Sequence, residues 1–419
     1  MMRILLLSLN YSPEPTGIGL YSGGLAESLV RSGHEVQVVC ANPHYPQWRL
    51  FDGYRALAWS TSVEKGVRVT RCPVYVPGRP GGATRIAHYI TFLASAAVPM
   101  WRRARGFRPD AVVCVAPSLI SAPLALMAAR AAGAKSWLHV QDFEVEAAFA
   151  TSHMKAEGAL ARAARTFEAK MIAAFDRVSS ISREMCAKLV EKGRVPGTVY
   201  ELRNWAELDH IRPQPGSAYR AEWGITTPHV ALYSGSIARK QGIETIIDVA
   251  RLMQGRKDLT FVVCGNGPTR ADLEARAAGL DNIRFLDLQP MERLGELLAL
   301  ASVHLLPQRA DAADLVLPSK LANMLASGRP VVAGVHPGRG LAREVEGAGL
   351  ICAPEDAQAM AEAIARVLDD GEFHAACSEE ALNRASDSWS REAIIGGFSR
   401  EIEQWLGPNS PSQSVVADV

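Results

Sequence analysis

Apolar positions along this chain follow two rhythms. Short unbroken runs such as Ile4-Leu5-Leu6-Leu7 have the length and composition of strands covered on both faces. The first run leads into Pro13-Glu14-Pro15-Thr16-Gly17-Ile18-Gly19, after which Tyr21, Leu25, Leu29 and Val30 recur at helical spacing until Gly33 closes the helix. Residues 35–40 then read as a second strand, completing a strand, helix, strand unit. The same syntax restarts after residue 229: residues 230–233 predict a strand, 234–242 a glycine loop, 243–253 a helix and 259–264 a strand. Further strands are predicted at 111–115, 136–140, 178–180, 199–202, 283–286, 303–306 and 331–333, and closing helices at 357–368 and 391–406.

A chain that begins its pattern again halfway along predicts an α/β protein of two doubly wound, Rossmann-like domains in series. The seam is expected within 204–227, where Pro213, Pro215, Gly216 and Gly224 accumulate. The expected division is an N-terminal domain over 1–205, a C-terminal domain over 206–388, a helix over 389–406 and a disordered tail over 407–419.

Length and charge narrow the function. The 419 residues are enough for two cores, and 45 Lys+Arg against 44 Asp+Glu leave a net charge of +1, which argues against a broad nucleic-acid-binding face. Any positive charge that matters must be local. The seven cysteines, at 40, 72, 114, 186, 264, 352 and 377, include no CxxC pair, and several sit in apolar runs. They read as core residues of a reduced, cytoplasmic protein. Only four apolar residues follow Arg3, too few for a signal-peptide core.

A glycine loop between strand and helix brings backbone N–H groups and the positive helix end towards an anion, typically phosphate. A dinucleotide fingerprint is absent: the first loop is separated from its strand by a Pro-containing insertion, and the second strands end in Cys40-Ala41-Asn42 and Cys264-Gly265-Asn266 without an acid for ribose. GxxxxGK[ST] is absent too. The loop after residue 233 places Arg239 and Lys240 just beyond Gly235 and Ser236, at the mouth of a helix, a combination suited to a diphosphate. A second cluster runs from Leu317 to Ala333; Ser319 fits a helix N-cap beside Lys320, with Asn323 one turn on.

Taken in order, these motifs resemble the retaining, family-four glycosyltransferases of the GT-B fold. The resemblance rests on Pro13 to Gly19, Gly33-His34, Ser180-Ile181-Ser182, the loop from Ser234-Gly235-Ser236 to Lys240-Gln241-Gly242, Cys264-Gly265-Asn266-Gly267-Pro268 and Gly328-Arg329-Pro330-Val331-Val332-Ala333. His139-Val140-Gln141-Asp142 and Leu317-Pro318-Ser319-Lys320-Leu321 are most similar to the branch with colanic-acid-type fucosyltransferases of bacterial exopolysaccharide synthesis. The resemblance implies two Rossmann-like domains facing across a cleft, a nucleotide-diphosphate sugar as co-substrate and no other cofactor. It implies that Gly235, Ser236, Gly265, Arg239 and Lys240 hold the diphosphate with Ser319 and Lys320, that Gly17 and Gly19 close over the sugar-phosphate, and that Leu286 lies near the base. Where the family carries two glutamates spaced E-x7-E, this chain has Leu315 and Asn323; Asn323 can still bond ribose hydroxyls, and Asp311 or Asp314 are candidates for the missing first acid.

No Asp-x-Asp occurs in the chain, so leaving-group charge is expected to fall to Arg239, Lys240, Lys320 and helix-end amides rather than to a metal. His139 and Asp142 follow an apolar strand, where open sheets place ligands, and are candidates to orient sugar or acceptor, with Glu144 on the acceptor side. Glu146 is equally readable as a solvated helix residue. His88, His153 and His374 read as isolated. Residues 86–100, followed by Trp101-Arg102-Arg103-Ala104-Arg105, are too short to span a bilayer; a buried helix and a peripheral membrane contact through 86–105 both remain open. The expectation is a metal-independent retaining transferase serving a polyprenyl-diphosphate-linked glycan acceptor, in exopolysaccharide or O-antigen synthesis, at the inner face of the cytoplasmic membrane. A GT-B nucleotide-sugar epimerase or a non-catalytic nucleotide-sugar-binding module are the alternatives.

Overall fold

The computed structural model describes residues 1–15, 17–78, 80–143, 158–205, 211–310 and 319–407. These form two compact units: Met1–Arg203 together with the chain from Ile395, and Asn204–Ile394.

In the first unit, strands β1 (Arg3–Ser8), β2 (Glu35–Ala41), β3 (Ser60–Glu64), β4 (Val67–Cys72), β5 (Ala111–Ala116), β6 (Lys135–Val140), β7 (Arg177–Ser180) and β8 (Val199–Glu201) make one sheet in the order β3-β4-β2-β1-β5-β6-β7-β8. Every neighbouring pair is parallel except β3 with β4. The central strands are buried along almost their whole length, which is why they read as continuous apolar runs instead of alternating ones. In the second unit, β9 (His229–Ser234), β10 (Leu259–Cys264), β11 (Ile283–Leu286), β12 (Val303–Leu306), β13 (Val331–Gly334) and β14 (Gly349–Cys352) run parallel in the order β11-β10-β9-β12-β13-β14. Chain order reverses between β1 and β5 in one sheet and between β9 and β12 in the other, so each unit has a crevice-forming switch point at the carboxyl ends of those strands.

Three strands and one helix escape the apolar pattern. β3 is an exposed edge strand, Ser-Thr-Ser-Val-Glu, with no core face to mark it. β4 alternates with arginines, and β14 opens on Gly349 and is only half-buried at Leu350 and Ile351. The helix Gly371–Trp389 buries just Cys377, Ala381, Ala385 and Trp389, too narrow a stripe to stand out.

Residues 86–100 lie inside one helix, Gly82–Phe107, that continues through Pro99 and buries Phe92, Ala96, Met100 and Ala104 in the first unit's core. Among the described residues no helix is long and apolar enough to cross a membrane. The last helix, Arg391–Leu406, is fastened to the first unit by aromatic edges: the buried Trp137 ring meets Phe398 at 5.1 Å and Trp405 at 5.3 Å between centroids. Around them His34 Nε2 lies 3.2 Å from the Ser399 hydroxyl, the Arg177 guanidinium donates to Glu401 at 2.7 Å, and Lys135 Nζ donates to the Trp405 carbonyl at 2.8 Å. His34 therefore serves as a seat for this helix.

Truncating the fully buried Phe398 to Ala opens a cavity against Trp137. It should cost the first unit about 3–5 kcal/mol, read as a lower urea midpoint for that unit's transition while the second unit's transition stays in place.

Candidate active site

The C-terminal switch point is built by backbone contact. Beyond β9 the chain runs alongside the chain beyond β10: Gly235 N donates to the Cys264 carbonyl at 2.9 Å, Ile237 N to the Asn266 carbonyl at 2.9 Å, and Gly265 N to the Leu286 carbonyl at 2.9 Å. The approach is so close that a Cβ at Gly265 would overlap the Gly235 carbonyl oxygen, and one at Gly267 that of Ile237. Gly235 itself has φ 137°, a left-handed geometry open to glycine, and Gly242, at φ 62°, packs against the Gln308 and Arg309 backbone beyond β12. The Tyr233 hydroxyl donates to the Ser236 carbonyl at 2.7 Å and ties the loop to the strand it leaves.

The helix Ser319–Ala326 follows β12 and brings Lys320 onto this loop. Its aliphatic stem would lie 3.6 Å from a Cβ at Gly235, its Nζ sits 4.2 Å from the Tyr233 ring centroid, and Nζ donates to Gln241 Oε1 at 3.2 Å. Arg239 begins the short 3-10 turn Arg239–Gln241; its guanidinium is exposed and has no partner among the described residues. Lys240 follows in the same turn, and its side chain lies outside the description. Asn323 is half-buried one turn after Lys320. The described part of this helix begins at Ser319, whose side chain, like the residues before it, lies outside the described residues. Leu286 is half-buried at the end of β11, and the adjacent Asp287 carboxylate is engaged by Arg270, which also pairs with Glu274 at 2.8 Å.

At the N-terminal switch point the organising group is Glu14, whose role the sequence did not disclose. Its carboxylate is buried and accepts from the backbone N–H groups of His44 at 2.9 Å and Tyr45 at 3.0 Å and from Asn10 Nδ2 at 2.8 Å. Burial pushes the Glu14 carboxyl above its ordinary range, with those two amides pulling the other way. Gly19 packs directly on it, where a Cβ would come within 2.6 Å of the Glu14 Cβ. Gly17, at φ 63°, lies beside the Tyr45 ring. The buried Arg71 braces the same loop, donating to the Ser12 carbonyl at 2.6 Å and to Glu64 at 2.8 Å.

His139 ends up deep at the end of β6. Its Nδ1 is 2.9 Å from the Ser179 hydroxyl, which also accepts from Trp137 Nε1 at 2.8 Å. Burial drives its pKa down to about 3, and the ring is neutral at physiological pH. Asp142 is exposed two residues beyond the strand. His88, expected to be isolated, instead packs its buried ring edge-on against His44, 4.7 Å between centroids. His374 bonds the Ser302 carbonyl at 3.0 Å. Glu144, Glu146, His153, Asp311, Asp314 and Leu315 lie outside the described residues. Among the described residues no cluster of His, Cys, Asp and Glu is arranged to hold a metal ion.

Residues 16–205 match the glycosyl transferase 4-like domain family and residues 217–384 the glycosyl transferases group 1 family. A putative colanic acid biosynthesis glycosyl transferase of Escherichia coli, WcaI, is 39% identical over 336 residues, covering 78% of this chain and 82% of the relative. Among solved structures, sucrose-phosphate synthase from Thermosynechococcus elongatus superposes with a TM-score of 0.71 at 17% identity, covering 97% of this chain and 99% of that one. HepE of Anabaena, solved in complex with UDP-glucose, gives 0.66 at 15% identity, covering 96% and 100%.

The neutral His139 has a consequence for stability. The unfolded ring titrates near 6.5 and the folded one near 3, so between these values the unfolded state binds the extra proton. The contribution is complete above pH 6.5 and falls by about 1.4 kcal/mol per pH unit on acidification towards 3. Replacing His139→Asn, which keeps a polar partner for Ser179, should flatten that slope by about one proton, measured from urea midpoints at pH 7 and pH 5; an unchanged slope would refute the assignment.

Proposed function

The chain belongs to the group 1 glycosyl transferases, with two Rossmann-like units of the GT-B type, and from that premise we propose that it moves a sugar from a nucleotide-diphosphate donor onto a lipid-linked glycan during exopolysaccharide assembly. The likeness to the colanic acid transferase of E. coli supports the pathway class, and the UDP-glucose complex of HepE supports a nucleotide-sugar donor. The observation that carries the reading is the cationic edge at the C-terminal switch point, where Lys320 overlies the side-chain-free backbone of Gly235 beside Arg239.

Breaking the anomeric C–O bond passes through an oxocarbenium-like state while negative charge gathers on the departing diphosphate. In this reading Arg239, Lys240 and Lys320, with the amides of the loop around Gly235 and Ser236, take up that charge, so no metal is needed. The Gly235 geometry lets phosphate oxygens approach the main chain without meeting a Cβ. Gly265 keeps the loop in register, Asn323 bonds ribose hydroxyls, Ser319 contributes at the helix start, and Leu286 borders the base. Gly17 and Gly19, held by Glu14, enclose the sugar-phosphate. The acceptor hydroxyl loses its proton to the leaving phosphate oxygen on the same face of the sugar, which retains configuration and requires no protein nucleophile. His139, as a neutral N–H donor, and Asp142 orient sugar and acceptor, with Glu144 on the acceptor side.

Arg239→Ala and Lys320→Ala should each lower turnover by about 10² or more, measured as labelled sugar transferred from a panel of UDP- and GDP-sugars to lipid-linked acceptor. Wild-type rates from both variants, or activity abolished by EDTA and restored by manganese, would overturn the leaving-group assignment.

A further inference from the structure

We propose that the outward face of the helix Gly82–Phe107 docks this protein on an anionic lipid surface. The helix is apolar on two opposite sides. Phe92, Ala96, Met100 and Ala104 recur every fourth residue and lie in the core. Ile86, Ile90, Ala94 and Val98 form a second stripe offset by two residues, about 200° around the axis, and Trp101 extends it. Ile86, Ile90, Val98 and Trp101 are between 43% and 57% exposed. A helix resting against a core with its other side in water normally carries polar residues on that side; this one presents aliphatic side chains and an indole.

The charges on the helix point to the kind of partner. From Gly82 to Phe107 there is no Asp or Glu, and the four arginines stand at the ends of the stripe: Arg85 before it and Arg102, Arg103 and Arg105 after it. Arg85, Arg102 and Arg105 are exposed, and the Arg105 guanidinium lies 4.2 Å over the Trp101 ring. An apolar stripe closed by an aromatic residue and bounded by arginines is the pattern of a helix lying in the headgroup region of a membrane. Uncompensated positive charge selects anionic lipid.

Pro99 supplies an independent observation. It has no N–H, so the Ser95 carbonyl four residues earlier loses its helical partner. The Trp59 indole Nε1 donates to that carbonyl at 3.0 Å. On a surface bathed in water a solvent molecule would serve as well; an indole keeps the carbonyl satisfied where water is excluded. The bond also fixes a second, largely exposed indole beside the stripe, with Leu57, 86% exposed, two residues away. From residue 86 to residue 101 the stripe is about 22 Å long, and its opposite side is committed to the core, so the helix can lie along a bilayer and not across it.

Flotation of the full-length protein with vesicles of phosphatidylglycerol and phosphatidylcholine tests this. The wild type should float with these vesicles at low salt, should release as salt is raised, and should ignore pure phosphatidylcholine. Ile90→Asp with Val98→Asp, and separately Arg102→Ala with Arg105→Ala, should each weaken vesicle binding at least tenfold, while Met127→Asp, at an exposed position on another helix, should not. Unchanged thermal unfolding shows that each variant folds, and the arginine pair, being exposed, guards against misfolding of the aspartate pair. No flotation of the wild type at low salt overturns the proposal, as does binding unaffected by both pairs. A wild-type dimer that Ile90→Asp with Val98→Asp converts to monomer, without vesicle binding, assigns the face to a second copy and overturns it as well. The assay contains no nucleotide sugar, so its failure leaves the transferase reading standing.

Discussion

The backbones of residues 234–237 and 264–267 meet with no space for a side chain between them, and the second unit's binding edge is organised around that approach. Parallel strands normally separate once they leave the sheet. Here two successive β-to-helix connections stay hydrogen-bonded past the ends of β9 and β10, which fixes the direction in which Gly235, Ser236 and the Arg239–Gln241 turn project. Glycine at 265 and 267 is thus a steric requirement of two facing segments, and the positive φ at Gly235 and Gly242 is a separate, conformational one. Only with the loop held in this way does Lys320, arriving on a different element, find a flat stretch of main chain to lie across. The cation is positioned by packing over Gly235 and against Tyr233 as much as by its hydrogen bond to Gln241.

The first unit reaches the same end by a different route. Its glycine loop does not pair with a neighbouring connection; it wraps around a buried carboxylate. Glu14 accepts from two consecutive backbone N–H groups at 44 and 45, so one side chain joins the loop after β1 to the loop after β2. Arg71, on β4, holds the other flank through the Ser12 carbonyl. Burying a carboxylate is costly unless it is fully hydrogen-bonded, and three donors meet that condition. Gly19 is required because the carboxylate occupies the place its side chain would take.

The repeated strand, loop and helix order was legible because parallel strands buried on both faces leave mostly apolar runs, unbroken in β1 and β5 and interrupted only by single buried polar residues such as Gln37 in β2, Thr260 in β10 and His304 in β12. β3 was not, since an exposed antiparallel edge strand carries no such mark. The glycine motifs could be read as loops, but the partner each glycine yields to is set by tertiary contact: nothing local to Gly19 announces Glu14 beneath it, and nothing local to Gly267 announces the Ile237 carbonyl. The same limit explains His88. Its spacing along the chain is uninformative, and only the fold brings the loop after β2 against the helix Gly82–Phe107. His139 illustrates the reverse: its place at a strand end was readable, while its neutral state comes from complete burial, against which the contact with Ser179 on the neighbouring strand pulls the other way.

A net charge of +1 describes the whole chain and conceals how unevenly the charge is distributed. Many arginines are neutralised by nearby carboxylates, as in Arg256 between Asp258 and Asp369 or Arg293 between Glu222 and Glu296. Those pairs join surface elements and leave no field for a ligand. Two groups of cations instead accompany features suited to phosphate: the turn and helix that carry Arg239 and Lys320, and the acid-free helix Gly82–Phe107. Balanced composition therefore works in favour of selectivity. A uniformly basic surface would attract any polyanion, whereas isolated positive sites on a neutral background attract phosphate only where the backbone or an apolar stripe supplies a second, geometric condition.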